Sequence, residues 1–183
     1  MQPESFYAAR RGRITASLVG AILGEAPYMT RDAAMRSLVR ETLGAEREFV
    51  GNVATEYGTF HEDGARFDYE LETGNTVSKS DFIPFEDWAG CSPDGLIGDN
   101  GGLEIKCPYG LRKAEAPVPF KSIMEQPHYY SQVQFSLYIT GREYWDFWQW
   151  NPNDNKLEGV NVDPDWQAHA LPRLRQFHAE YLH

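Results

Sequence analysis

The chain has 183 residues, 42% of them hydrophobic, which is enough for one domain with a substantial core and too few for two comfortable ones. Its formal charge of −10 excludes a protein whose whole surface binds nucleic acid, because phosphate contacts need Lys and Arg, although a local basic track is still allowed. With Cys91 and Cys107 as its only cysteines, a disulfide scaffold and a four-cysteine metal site are excluded, and no histidine pair stands at zinc-binding spacing.

The opening MQPESFYAARRGR lacks the apolar stretch of a signal peptide, and no run of about 18 apolar residues follows, so a soluble cytoplasmic protein without membrane contact is expected. Thr15 can cap a helix through ASLVGAILG that Gly24 ends. A second helix is predicted over Arg31–Gly44 and a third from about Asn52 to Thr73, with Gly74 as its stop. Strands follow near Thr76–Phe85 and Trp88–Cys91, then a hairpin. A helix around Ser122–Thr140, strands over Glu143–Trp150 and Lys156–Val162, and a closing helix over Pro164–Leu182 complete the order. Helices, a central mixed sheet and more helices imply an α/β sandwich in a single domain spanning 1–183.

In the third helix, Val53, Tyr57, Phe60, Gly64, Phe67 and Leu71 recur at steps of four and three, which predicts the main buried face. Gly58, Glu62, Ala65 and Tyr69 form a second stripe on nearly the opposite side. If both sides are covered, either a cation meets Glu62 or the second face is exposed, because an unpaired buried acid is costly. In the later helix Tyr130, Val133, Leu137 and Tyr138 form the apolar stripe, interrupted by Gln132 and Gln134.

The hairpin SPDGLIGDNGGLEIKCP, Ser92 to Pro108, turns on residues that tolerate positive φ. Folded about Asn100, it sets Lys106 opposite Asp94 and Glu104 opposite Leu96, with Asp94, Glu104 and Lys106 on one face. Two readings stay open: a solvated face with a cross-strand ion pair, or a divalent-metal site with Lys106 beside the attacking water. The clustered positives Arg10, Arg11 and Arg13, then Arg112 and Lys113, read either as a solvated face or as phosphate contacts.

Five ordered blocks carry a resemblance: RITAS (13–17), YGTFHEDGAR (57–66), CSPDG (91–95), GLEIKCP (102–108) and SQVQFSLYIT (131–140). Together they resemble the phage lambda-type exonucleases, the alkaline exonuclease and viral recombinase group of the PD-(D/E)XK nuclease superfamily. The resemblance implies a central mixed β-sheet flanked by helices, and an enzyme that degrades one strand of linear duplex DNA from its 5′ end. The 3′ single strand left behind would serve recombination with a single-strand annealing protein, and the enzyme would be a homotrimeric ring.

It further implies that Asp94, Glu104 and the Ile105 carbonyl hold Mg²⁺, or Mn²⁺ in its place, while Glu62 reaches a second ion. Lys106 would orient or help deprotonate the water, and Gln132 would hold the water or the phosphate. Arg10, Ser17 and Ser92 would grip the 5′-terminal phosphate, with the adjacent Arg11 as the alternative to Arg10. Thr55 falls near the expected strand-separating position and is a poor wedge. An endonuclease built on the same site, and a non-catalytic DNA-end-binding module, are the other readings.

Overall fold

The computed structural model describes residues 4–45 and 52–183; Met1–Pro3 of the opening segment lie outside them. Its organising element is a five-stranded sheet in the order β2-β5-β6-β7-β8, formed by Val77–Ser78, Gly95–Ile97, Gly101–Lys106, Tyr144–Asn151 and Asp154–Asn161. The central pair β6 and β7 runs parallel, so the chain must cross over between them, whereas β5/β6 and β7/β8 are antiparallel. Gly102 is required at the centre of that pair: a Cβ there would come within 2.2 Å of the Trp145 ring.

The crossover consists of short 3₁₀ turns at Tyr109–Leu111 and Ile123–Glu125, then α5, Pro127–Thr140. On one face of the sheet α4, Val53–Thr73, buries Ala65 and Tyr69 against Ile97, Leu103, Ile105 and Trp148. Trp148 Nε1 also donates to the Ala65 carbonyl at 2.9 Å. On the other face α5 sets Val133 and Leu137 against Trp145, Phe147 and Val160. Burying each such side chain contributes roughly 1.5–3 kcal/mol, which is what fixes helices to both faces.

The far side of α5 packs Phe135 and Ile139 into a second core with α2 (Ala16–Ile22), α3 (Arg31–Thr42) and α6 (Pro164–Tyr181). A three-stranded sheet borders this core in the order β1-β4-β3: Ile14–Thr15, Ala89–Cys91 and Ile83–Phe85. A short α1, Glu4–Arg10, precedes it and buries no residue. The expected α/β core with a mixed sheet between helices is therefore present.

Several local expectations are corrected. The stripe expected to be the buried face of α4 is turned outward: Val53, Phe60, Phe67 and Leu71 are 59%, 81%, 59% and 70% exposed, and the stripe containing Ala65 and Tyr69 faces the sheet. Small Ala65 lets the helix approach Trp148 closely, and the Tyr69 hydroxyl reaches Asp146 at 2.5 Å, so packing fit outweighs bulk hydrophobicity. The single strand expected over Thr76–Phe85 is two strands in different sheets. Thr15 stands at the α2 N-cap without capping it, its hydroxyl meeting Ser17 Oγ at 3.2 Å. Because α5 is enclosed on both sides, its apolar stripe widens to include Phe135 and Ile139, while Tyr130 and Tyr138 are half-buried.

Candidate active site

The hairpin register brings the acids together. Gly95 pairs with Leu103, Leu96 with Gly102 and Ile97 with Gly101, so Asp94 flanks β5 opposite Glu104 rather than opposite Lys106. The turn is one step tighter than expected because Gly101 is already in the strand, beside Tyr144 of β7, and Gly98, at φ 52°, starts the reversal. The slip is by an even number of residues, so Asp94, Glu104 and Lys106 still share a face. Asp94 Oδ2 accepts from the Ile105 amide at 2.8 Å, locking the acid to β6.

Glu104 is 4% exposed, and its Oε1 accepts from Lys106 Nζ at 2.9 Å and from Gln132 Nε2 at 3.1 Å. Lys106 Nζ also donates to Gln132 Oε1 at 3.2 Å and lies 4.5 Å from the centre of the Tyr129 ring. Acid, ammonium and amide thus close a triangle between β6 and α5. Burial opposes the charge on Lys106, but Glu104, Tyr129 and Asp94 outweigh it and hold the ammonium above its ordinary range. Asp94 is pushed well above the usual carboxylate range by burial and by the negative charges of Glu104 and Glu62.

Glu62 on α4 meets its cation within the chain. Arg66 Nη2 donates to Glu62 Oε1 at 2.8 Å and to the Asp94 carbonyl at 3.1 Å. Among the described residues no three His, Cys, Asp or Glu side chains converge as a closed metal cage. The donor set still fits a hard divalent cation: the carboxylates of Asp94 and Glu104 are crowded together, and the burial cost on Asp94 is of the kind that such an ion relieves.

Glu62, Asp94, Glu104, Ile105 and Lys106 line one cleft of about 710 Å³ that also includes Tyr28, Thr55, Cys107, Tyr109 and Tyr129. Thr55 is tied into the α4 cap, its amide and hydroxyl both donating to Asn52 Oδ1 at 2.8 and 3.0 Å. Burial pushes both thiols, Cys91 and Cys107, up to about 12, so neither is a nucleophile at neutral pH. Arg10 Nη1 donates to Ser92 Oγ at 3.2 Å, whereas Arg11 lines a separate cavity with Glu4, Tyr7 and Glu41. Ser17, exposed, pairs with Thr15. Sequence reasoning missed Arg66 and Tyr129; an arginine four residues after Glu62 was the available signal for the first.

Fold and site together define a nuclease of the PD-(D/E)XK kind. Residues 5–143 match the YqaJ-like viral recombinase domain, and the chain belongs to that family, in line with the lambda-type resemblance of its motifs. It is similar to the alkaline exonuclease LHK-Exo from Laribacter hongkongensis, with 31% identity and a TM-score of 0.83 over 98% of this chain and 93% of that one. LHK-Exo in complex with dAMP gives 32% and 0.84 over the same shares. A phage related exonuclease from Haemophilus somnus 129PT shares the fold, at TM-score 0.73 and 14% identity over 92% of this chain and 93% of that one. No curated protein matches the chain.

Proposed function

We propose that residues 1–183 act as one nuclease domain, a divalent-metal-dependent 5′–3′ exonuclease. It would degrade one strand of linear double-stranded DNA and leave a 3′ overhang for a single-strand annealing protein in the cytoplasm. The observation that carries this reading is the meeting of Asp94, Glu104 and Lys106 in one cleft, two residues along the chain from the Arg10–Ser92 contact.

Asp94, Glu104 and the Ile105 carbonyl would hold Mg²⁺, or Mn²⁺ in its place, with Glu62 available to a second ion; the metal supplies polarisation of the scissile phosphate and a more acidic water. Lys106, held protonated by its neighbours, is suited to orienting the water and offsetting charge on the phosphate rather than to taking a proton. Gln132 keeps Lys106 and Glu104 in register. Arg10, Ser17 and Ser92 would bind the terminal phosphate.

The homotrimer follows from the family resemblance, and the outward apolar stripe of α4 offers a surface on which copies would associate. Among the described residues no helix is long and apolar enough to cross a membrane.

The test uses linear duplex labelled at either end and a closed circular duplex, each with Mg²⁺ or with chelator. Metal-dependent release from the 5′ end with the circle intact is expected. A cut circle would make the protein an endonuclease, and no cleavage with any divalent metal would leave a DNA-end-binding module.

A further inference from the structure

Arg66 sits where the acidic cleft wants a cation and is itself one. Its side chain is 12% exposed, and besides Glu62 and the Asp94 carbonyl it binds Asp63 Oδ1 through Nη1 at 2.7 Å. One guanidinium therefore spans the third acid of the cleft and the main chain of the first. With their carboxylates ionised, Asp94, Glu104 and Glu62 carry −3, and Lys106 and Arg66 carry +2, so the cluster holds −1 with Arg66 and −2 without it. A guanidinium has no acceptor and is not deprotonated in proteins, so Arg66 cannot ligate a metal and can only compete with one for Glu62.

We propose that Arg66 is an internal competitor for a divalent cation, holding Glu62 while the cleft is metal-free and raising the metal concentration needed to engage it. The inference rests on the divalent-metal reading above. When a cation takes Glu62, the guanidinium keeps Asp63 and the Asp94 carbonyl as partners, so the exchange leaves no charge stranded.

The test titrates Mn²⁺ alone into the full chain, without DNA, reading free Mn²⁺ by electron paramagnetic resonance. Arg66→Met should bind Mn²⁺ about 10-fold more tightly than wild type, because Glu62 no longer has to leave an ion pair with the guanidinium to meet the ion. Arg66→Lys should stay near wild type, and in a Glu62→Gln background the gain from Arg66→Met should vanish. A merely structural role predicts the opposite sign, so unchanged or weaker binding in a folded Arg66→Met protein overturns the proposal. Should Arg66→Met not fold, Arg66→Gln, which keeps a donor for the Asp94 carbonyl, carries the same expectation. Wild type that binds no Mn²⁺ overturns the metal reading itself; binding without a gain overturns the competition alone.

Discussion

Gln132 and Lys106 are joined by a 3.2 Å hydrogen bond between α5 and β6, and the same amide turns its nitrogen to Glu104. Gln132 thus sets the distance between the charged groups. Lys106→Ala should abolish cleavage, whereas Gln132→Ala should lower kcat about 10²-fold, the usual cost of one misplaced polar group at a phosphate or oxyanion. Steady-state rates on linear duplex decide this, and a full rate in either variant would remove that residue from the mechanism.

Asp94 favours the fold while it is protonated, because its carboxyl is held above the ordinary range. That stability is present below the ordinary carboxylate pKa and is lost as pH rises through the raised folded value. In chelator the melting temperature should therefore fall as the solution moves from mildly acidic to alkaline. Asp94→Asn should flatten the profile and gain roughly 1 kcal/mol on the alkaline side. Parallel profiles for the two proteins would refute the linkage.

Arg10 rather than Arg11 is the residue hydrogen-bonded to Ser92, and Glu41 lies 3.9 Å from its Nε. Arg10→Ala should erase any preference for 5′-phosphorylated over 5′-hydroxyl ends, and Arg11→Ala should keep it. Competition between the two substrates reads this directly; a preference that survives Arg10→Ala moves the phosphate elsewhere.

The exposed α4 side chains give a test of the proposed trimer. Phe67→Glu changes a residue that is 59% exposed, so the fold should persist while self-association weakens. Sedimentation velocity should show a trimer for wild type and a monomer for the variant. An unchanged trimer would put the interface on another surface.

Gly102→Ala should destabilise the protein by about 2–3 kcal/mol, since its Cβ would run into the Trp145 ring 2.2 Å away. Chemical denaturation measures the loss, and a neutral result would mean that β6 and β7 can separate without cost.

The shared face of Asp94, Glu104 and Lys106 was legible because strand alternation fixes which side chains point together, and a two-residue error in hairpin register leaves that parity intact, whereas Gln132, on a helix, came only with the family resemblance. That Arg10 rather than Arg11 meets Ser92 was not legible, since two adjacent arginines at the end of α1 differ only by where that helix docks. The α4 faces were inverted for a related reason: periodicity finds stripes but not which stripe meets the sheet. Ala65 and Tyr69 win through a close approach and the hydrogen bond from the Tyr69 hydroxyl to Asp146, features of three-dimensional fit that apolar bulk alone does not encode.

The groups proposed for cleavage and for end recognition differ in how they are anchored. Glu104, Lys106 and Gln132 belong to one crossover unit, threaded through the cores on both sides of α5. Arg10 ends a seven-residue helix none of whose residues is fully buried. Local opening should therefore release the Arg10–Ser92 contact, the proposed terminal-phosphate grip, long before it disturbs the cleft. In amide hydrogen exchange α1 would equilibrate with solvent early and β6 only with global unfolding, so the protein could let go of a DNA end and take another while its chemistry stays assembled.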